Sequence, residues 1–298
     1  MADLSQYQQF SIPGLVQVVP GTGDLPMIRI TNSFAECDLF LHGAHVARFQ
    51  PKGQQDVLWM SPLSAYQVGK PLRGGIPLCF PWFGAHKTNP SLPMHGFARI
   101  RTWTLASTAQ LSDGRTEIVL VLTDAPETLA MWPFRFRLEL KVVVGPSLEV
   151  TLLIENRGNE PFTCDEALHT YFNVADASHC SVSGLNGVMY RDRLRFDARA
   201  VQVGDVKFQG EMVNAYMDVP STIDLVDELS NRTFHLEQQG LDAAVVWNPW
   251  ETTAAANPEL KGLWRQFVCV ESANCLDRHL LVLPGASHRS FLSCQARN

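Results

Sequence analysis

The sequence predicts an all-β protein, a large antiparallel sandwich or barrel. Three observations carry that prediction. Apolar side chains recur with a period of two along many short runs, turn residues separate many of the runs, and helical periodicity is scarce. The clearest case is FRFRLELKVVVG, residues 134–145, which sets Phe134, Phe136, Leu138, Leu140, Val142 and Val144 on one side. Gly145-Pro146-Ser147 then turns the chain into LEVTLLIENRG, where Leu148, Val150, Leu152 and Ile154 alternate again. Two such runs about a Gly/Pro turn describe a long β-hairpin.

The remaining strand-like runs, in chain order, are CDLFLHG (37–43), HVARFQ (45–50), TEIVLVLTD (116–124), RTFHLEQQ (232–239), AAVVWN (243–248), QFVCVE (266–271) and HLLVLP (279–284). The best helical signal is NPELKGLWRQF (257–267), where Pro258 suits a first helical turn. Strands do not alternate with long helices, so a doubly wound sheet fits poorly. No internal repeat or low-complexity linker divides the chain. One domain over residues 1–298 is expected, with residues 1–20 a peripheral N-terminal extension.

At 298 residues and 46% hydrophobic composition the chain can bury about three quarters of its unfolded surface. The formal charge is −6, and no block of Lys or Arg stands out. A nucleic-acid partner would want a concentrated basic face, so that class is disfavoured. No apolar run reaches membrane-spanning length. The seven cysteines form no CxxC pair and suit a reduced compartment. The start MADLSQYQQF lacks the basic and apolar features of a signal peptide, and a cytoplasmic location is expected.

Several polar residues sit where they need a reason. In EALHTYFNV, an extended chain puts Ala167, His169 and Tyr171 on one face and Leu168, Thr170 and Phe172 on the other. On spacing alone His169 is either a satisfied structural histidine or an acid–base group. Glu271 ends the apolar run FVCVE, where an ionised carboxylate is costly unless it is paired or faces a wet cleft. If the two met, they would supply an acid and a base with separable pKa values. Arg73 precedes Gly74-Gly75, and His95 and Arg99 frame HGFAR. Arginine offers a planar fork of donors suited to phosphate or carboxylate, and glycine permits close backbone approach to a ligand; surface salt bridges are the plainer alternative for both arginines. Trp247, Asn248 and Trp250 lie in VVWNPW, where tryptophan either packs or stacks on a sugar. A zinc site is disfavoured, because His42, His45, His86 and His95 come without HExxH or a tight Cys/His cluster. Cys164 lies near His169 but faces away from it in a regular strand.

Taken in order, RGGIPLCFPWFG, LPMHGFAR, ALHTYFNV, GLNGVMYRD, VVWNPW and FVCVESAN resemble the aldose 1-epimerase superfamily, and within it the hexose-6-phosphate mutarotase (glucose-6-phosphate 1-epimerase) branch. The resemblance spans residues 72–274. It implies a galactose-mutarotase-like antiparallel β-supersandwich with no metal or organic cofactor, acting on a hexose 6-phosphate; a monomer is expected. It implies His169 as the general acid at the pyranose ring oxygen and Glu271 as the general base at the C1 hydroxyl. Arg73 and Arg99 become a clamp for the 6-phosphate, His95 a hydrogen-bond partner of sugar hydroxyls, and Trp247 and Asn248 further substrate contacts. Two departures stand out. Where relatives carry an ETDxxY-like segment this chain has GEMVNAY, with Val213 at the acidic position and Glu211 or Asp218 as replacement candidates. The lysine that relatives carry shortly after WNPW is missing, and Lys261 lies further along. A sugar-phosphate-binding or regulatory protein of the same fold, with weak or no epimerase activity, is the alternative reading.

Overall fold

The structure, a computed structural model, describes residues 3–297. Two large antiparallel sheets dominate it. The eight-stranded sheet runs, edge to edge, Ala198–Val201, Met189–Asp192, Met212–Met217, Ala243–Asn248, Phe267–Asn274, Glu166–Leu168 and Leu78–Cys79, with Tyr171–Asn173 also paired to Phe267–Asn274. The nine-stranded sheet runs Val206–Lys207, Cys180–Ser183, Thr222–Asp227, Arg232–Gln239, Ser287–Arg297, Leu148–Asn156, Phe136–Val144, Thr116–Thr123 and Thr104–Gln110. A four-stranded sheet of Val16–Pro20, Pro26–Thr31, Ala35–Phe40 and His45–Pro51 and a two-stranded one of Phe162–Cys164 and Leu280–Val282 complete the set.

The period-two runs become strands as their alternation dictates. Phe136–Val144 and Leu148–Asn156 form the long hairpin, with Val144 opposite Leu148 and Leu138 opposite Ile154. The apolar residues of both point into one continuous core, which also takes Phe172, Val268 and Val270 from the eight-stranded sheet and Phe234 and Leu236 from the nine-stranded one. Phe172 and Phe234 meet across the two sheets with ring centroids 5.2 Å apart. Each fully buried Leu, Val or Phe contributes about 1.5–3 kcal/mol, so this shared core holds the sheets face to face.

Two expectations are corrected. The helix is not at 257–267; that stretch is a run of turns ending in the 3-10 helix Trp264–Gln266. The α-helix lies one segment earlier, at Trp250–Ala256, where the Asn248 side chain accepts a hydrogen bond from the Trp250 N–H and three alanines favour the conformation. Asn257 instead turns its Oδ1 back to the Glu259 N–H, a local bond that competes with helix. Of the expected N-terminal extension, Val16–Pro20 is built into the four-stranded sheet, with Val16 fully buried.

Candidate active site

Phe267–Asn274 is an inner strand, and all eight of its residues are buried. Val268 and Val270 enter the inter-sheet core, so Cys269, Glu271 and Ala273 take the opposite face. Across from it, Leu168 pairs with Ser272 and Tyr171 pairs with Cys269. The register is the same on both sides of the gap at His169 and Thr170, which sets His169 directly opposite Glu271. Opposite residues on one face are contact neighbours. His169 Nε2 accordingly lies 3.4 Å from Glu271 Oε1.

An aromatic wall fixes the imidazole. The Tyr171 ring stacks on His169 at 4.9 Å, nearly parallel at 8°, and Trp247 meets both rings edge-on at 5.8 Å. His95 approaches His169 at 5.6 Å. The segment after Arg73 runs beside His169, whose N–H donates to the Pro77 carbonyl, while the Tyr171 N–H donates to that of Gly75. Gly74 and Gly75 are required there for a reason other than ligand approach. Their φ values are +106° and +61°, and a Cβ would lie 2.4 Å from the Trp59 carbonyl oxygen at Gly74 and 2.3 Å from that of Val46 at Gly75. They let Arg73 and the following strand press against their own protein backbone.

The second basic segment is tied to the first. Phe80 packs against Phe97, Trp132 and Phe136, and its carbonyl accepts from the N–H groups of Phe97 and Ala98. This anchors 95–99 alongside 78–81. His95 Nδ1 accepts a hydrogen bond from the Gly84 N–H at 3.2 Å. Its Nε2 therefore carries the proton of the neutral ring and is a donor. Arg99 is only 8% exposed; its Nη2 donates to the Met94 carbonyl at 2.8 Å, and its Nε has no partner. No carboxylate pairs with Arg99 among the described residues. Arg73 differs: its Nε and Nη2 donate to Glu259 Oε2 at 3.3 and 3.2 Å, and its Nη1 donates to the Tyr171 hydroxyl at 3.2 Å.

Burial sets the protonation. It pushes the His169 pKa well below the ordinary histidine value, and the positive charges of Arg99 and Arg73 push the same way. His95 is lowered for the same reasons, burial first. Burial raises the Glu271 carboxyl well above the usual range, with Arg99 opposing it, and Glu271 Oε2 has no partner. Burial thus disfavours the charged form of each partner, imidazolium and carboxylate alike.

His169, Glu271, His95, Arg73, Arg99 and Trp247 converge. Asn248 does not belong with them. It is fully buried, its Nδ2 donates to the carbonyls of Trp264 and Phe267, both at 2.8 Å, and its Oδ1 is taken by Trp250. With every polar bond spent on backbone, it shapes the loop that carries Trp250 and has nothing left for a substrate. Val213 pairs with Trp247 across the sheet. Glu211 remains at that end of the strand, bonded to Thr253, whereas Asp218 lies beyond the opposite end in an ion pair with Arg278 and is no replacement. Lys261 is exposed on the turn after the helix. Cys164 is buried in the two-stranded sheet. Tyr171 and Glu259 are site residues that the sequence reading did not select, although Tyr171 shares the predicted face of His169.

Among the described residues no group of three or more His, Cys, Asp or Glu is placed to hold a metal ion, and no helix is long and apolar enough to cross a membrane. A cavity of about 560 Å³ opens elsewhere, on the outer face of the four-stranded sheet; its Arg29–Asp38 and Arg48–Asp56 side chains pair with each other, and it includes none of the converging residues.

An all-β supersandwich that sets a histidine against a glutamate beside two arginines defines a protein of the galactose-mutarotase-like kind. A family model described as aldose 1-epimerase matches residues 26–295, and the chain belongs to that family. It is 33% identical over 292 residues to a Cenchrus ciliaris protein named "Putative glucose-6-phosphate 1-epimerase", covering 95% of this chain and 87% of that one. It is 32% identical to an Escherichia coli protein of the same name, covering 89% and 90%. Among solved structures, a "putative mutarotase" from Salmonella typhimurium superposes with a TM-score of 0.87 at 26% identity, covering 95% of this chain and 97% of that one.

Proposed function

We propose that this epimerase-family protein interconverts the α and β anomers of glucose 6-phosphate, or of a closely related hexose 6-phosphate. The observation that carries the reading is the His169–Glu271 contact beside Arg99, a buried cation that no described carboxylate neutralises. A substrate that brings its own dianion fits such a site better than a neutral sugar does. The names of the curated relatives support the same substrate class.

The chemistry follows from the shared proton. Glu271 as carboxylate takes the proton from the C1 hydroxyl while His169 as imidazolium gives one to the ring oxygen. The C1–O5 bond breaks, C1 becomes the aldehyde carbon, and the pair is left as carboxylic acid and neutral imidazole. Rotation about C1–C2 presents the other face of the carbonyl, and the reverse transfers close the ring. The pair holds one proton at every stage, so no proton exchange with solvent is required. The neutral and charged forms of the pair differ only by a proton shift over the 3.4 Å contact. His95 Nε2–H donates to a sugar hydroxyl, Trp247 offers its ring to the sugar, and Arg73 and Arg99 receive the phosphate. Anomer exchange followed by NMR or polarimetry tests the reading: the proposal requires exchange of glucose 6-phosphate well above the spontaneous rate, and a folded protein with no acceleration would overturn it.

A further inference from the structure

Arg73 does not offer its whole guanidinium to an anion. The Nε/Nη2 edge of its guanidinium, one of the two edges on which arginine makes a two-pronged contact with phosphate, is held by Glu259. Nor does Glu259 depend on Arg73 for its position. Its Oε1 accepts from the Ala65 N–H at 3.1 Å, its carbonyl accepts from Ser61 Oγ at 2.5 Å, and its N–H donates to Asn257 Oδ1. Both ion-pair partners are about one-fifth exposed, at 22% and 20%, so the pair is shielded but reachable from solvent. The third donor of Arg73 goes to Tyr171, whose ring lies on His169. The carboxylate is therefore a fixed negative charge at the arginine bonded to Tyr171, the ring stacked on His169.

We propose that Glu259 sets how strongly this site holds phosphate. The inference rests on the reading above, in which the substrate's phosphate meets Arg73. An arriving phosphate must take the second edge beside a carboxylate or displace that carboxylate, and either course weakens its binding. The penalty falls equally on free and sugar-bound phosphate. Only the sugar phosphate has contacts at His95, His169, Glu271 and Trp247 to offset it. Free inorganic phosphate is thereby kept from occupying the site, and the product is released rather than held.

Inorganic phosphate is the probe. Its affinity is measured by calorimetry, and as an inhibition constant against anomer exchange, for the parent, Glu259→Gln, Glu259→Ser and Glu259→Asp. The Gln variant removes the charge and keeps one acceptor oxygen, for either Arg73 or the Ala65 N–H. It is expected to bind inorganic phosphate at least about tenfold tighter, equivalent to about 1.4 kcal/mol. The Ser variant moves in the same direction, and the Asp variant, which keeps the charge, stays near the parent. Glucose 6-phosphate tightens by a similar factor. Unchanged or weaker phosphate binding in both neutral variants overturns the proposal. Arg73→Gln separates the two levels of the argument. If it weakens glucose 6-phosphate while the Glu259 variants change nothing, the role of Glu259 is wrong and the phosphate reading survives. If it leaves glucose 6-phosphate binding intact, both fail together.

Discussion

Replacing Glu271 by Gln preserves the shape of a side chain that is only 2% exposed and deletes its proton acceptor. The amide sits in the same place, with one polar atom 3.4 Å from His169 Nε2, but takes no proton from the C1 hydroxyl. Loss of a positioned general base costs about 10²–10⁴ in rate. At 1.36 kcal/mol per factor of ten, that is about 2.7–5.4 kcal/mol of barrier. Stability moves the other way. Burial raises the folded-state pKa of Glu271 above its unfolded value of 4.5, so the folded chain keeps a proton that the unfolded chain releases. Stability from this group therefore falls as pH rises above 4.5, and the neutral amide escapes that loss. Anomer exchange by NMR at saturating glucose 6-phosphate, with thermal melts at neutral pH, reads both effects. The expected variant is hundreds- to thousands-fold slower, binds substrate as the parent does, and is at least as stable. Exchange within about threefold of the parent would refute the base assignment. So would a rate loss matched by a melting temperature lower by several degrees, which would mark Glu271 as structural.

Three further expectations concern other parts of the account. Arg99→Ala removes a buried cation and its charge-assisted bonds, each worth about 1.5–3 kcal/mol, and should lower kcat/KM for glucose 6-phosphate by about 10- to 150-fold while changing glucose little; equal losses on both sugars would make Arg99 structural. Gly75→Ala forces a Cβ to within 2.3 Å of the Val46 carbonyl oxygen at φ +61°, and a chemical-denaturation midpoint should report at least about 2 kcal/mol of lost stability. Parent-like stability would show that this segment relaxes at no cost. His288 reaches the buried Glu166 at 3.2 Å. Burial opposes its charge, but Glu166, the Gly240 carbonyl and Asp242 outweigh that and hold the imidazole pKa above 6.5. The sign follows: this bond adds stability that is fully present below 6.5 and fades as pH rises through the folded pKa. The melting temperature of His288→Asn should fall below the parent's in mildly acid buffer and converge on it in alkaline buffer; a pH-independent gap would contradict the ion pair.

Much of the fold was legible because alternation is a local signal. A period of two fixes which side chains share a face, and Leu138 with Leu140, or Val268 with Val270, enter the core as their spacing requires. The faces of His169 and Glu271 were legible in the same way. Their contact was not, because it depends on the register between strands far apart in sequence, set by the Leu168–Ser272 and Tyr171–Cys269 pairs. Asn248 misled for a related reason. Beside two tryptophans an amide suggests a sugar contact, yet the carbonyls of Trp264 and Phe267 that consume it come from a turn that folds back over it. The helix was placed one segment late, since Pro258 is a good first-turn residue and the Asn257 side chain that diverts the chain into turns acts through a bond invisible to periodicity. Glu259 carried no signal at all, being one acid in an exposed-looking stretch. The Gly74-Gly75 pair suggests close approach to a ligand, but what lies against it is the protein's own backbone.

The central claim is that the His169–Glu271 pair opens and recloses a phosphorylated sugar. Two-dimensional exchange NMR on an equilibrated mixture of glucose 6-phosphate anomers tests it most directly, because the spectrum reads interconversion itself with no coupling enzyme. Cross-peaks between the α and β C1 protons should appear with the parent protein at rates far above the spontaneous reaction, fall away with Glu271→Gln, and be much weaker with glucose in place of its 6-phosphate. Exchange no faster than in buffer, from protein with an intact cooperative melt, would contradict the account.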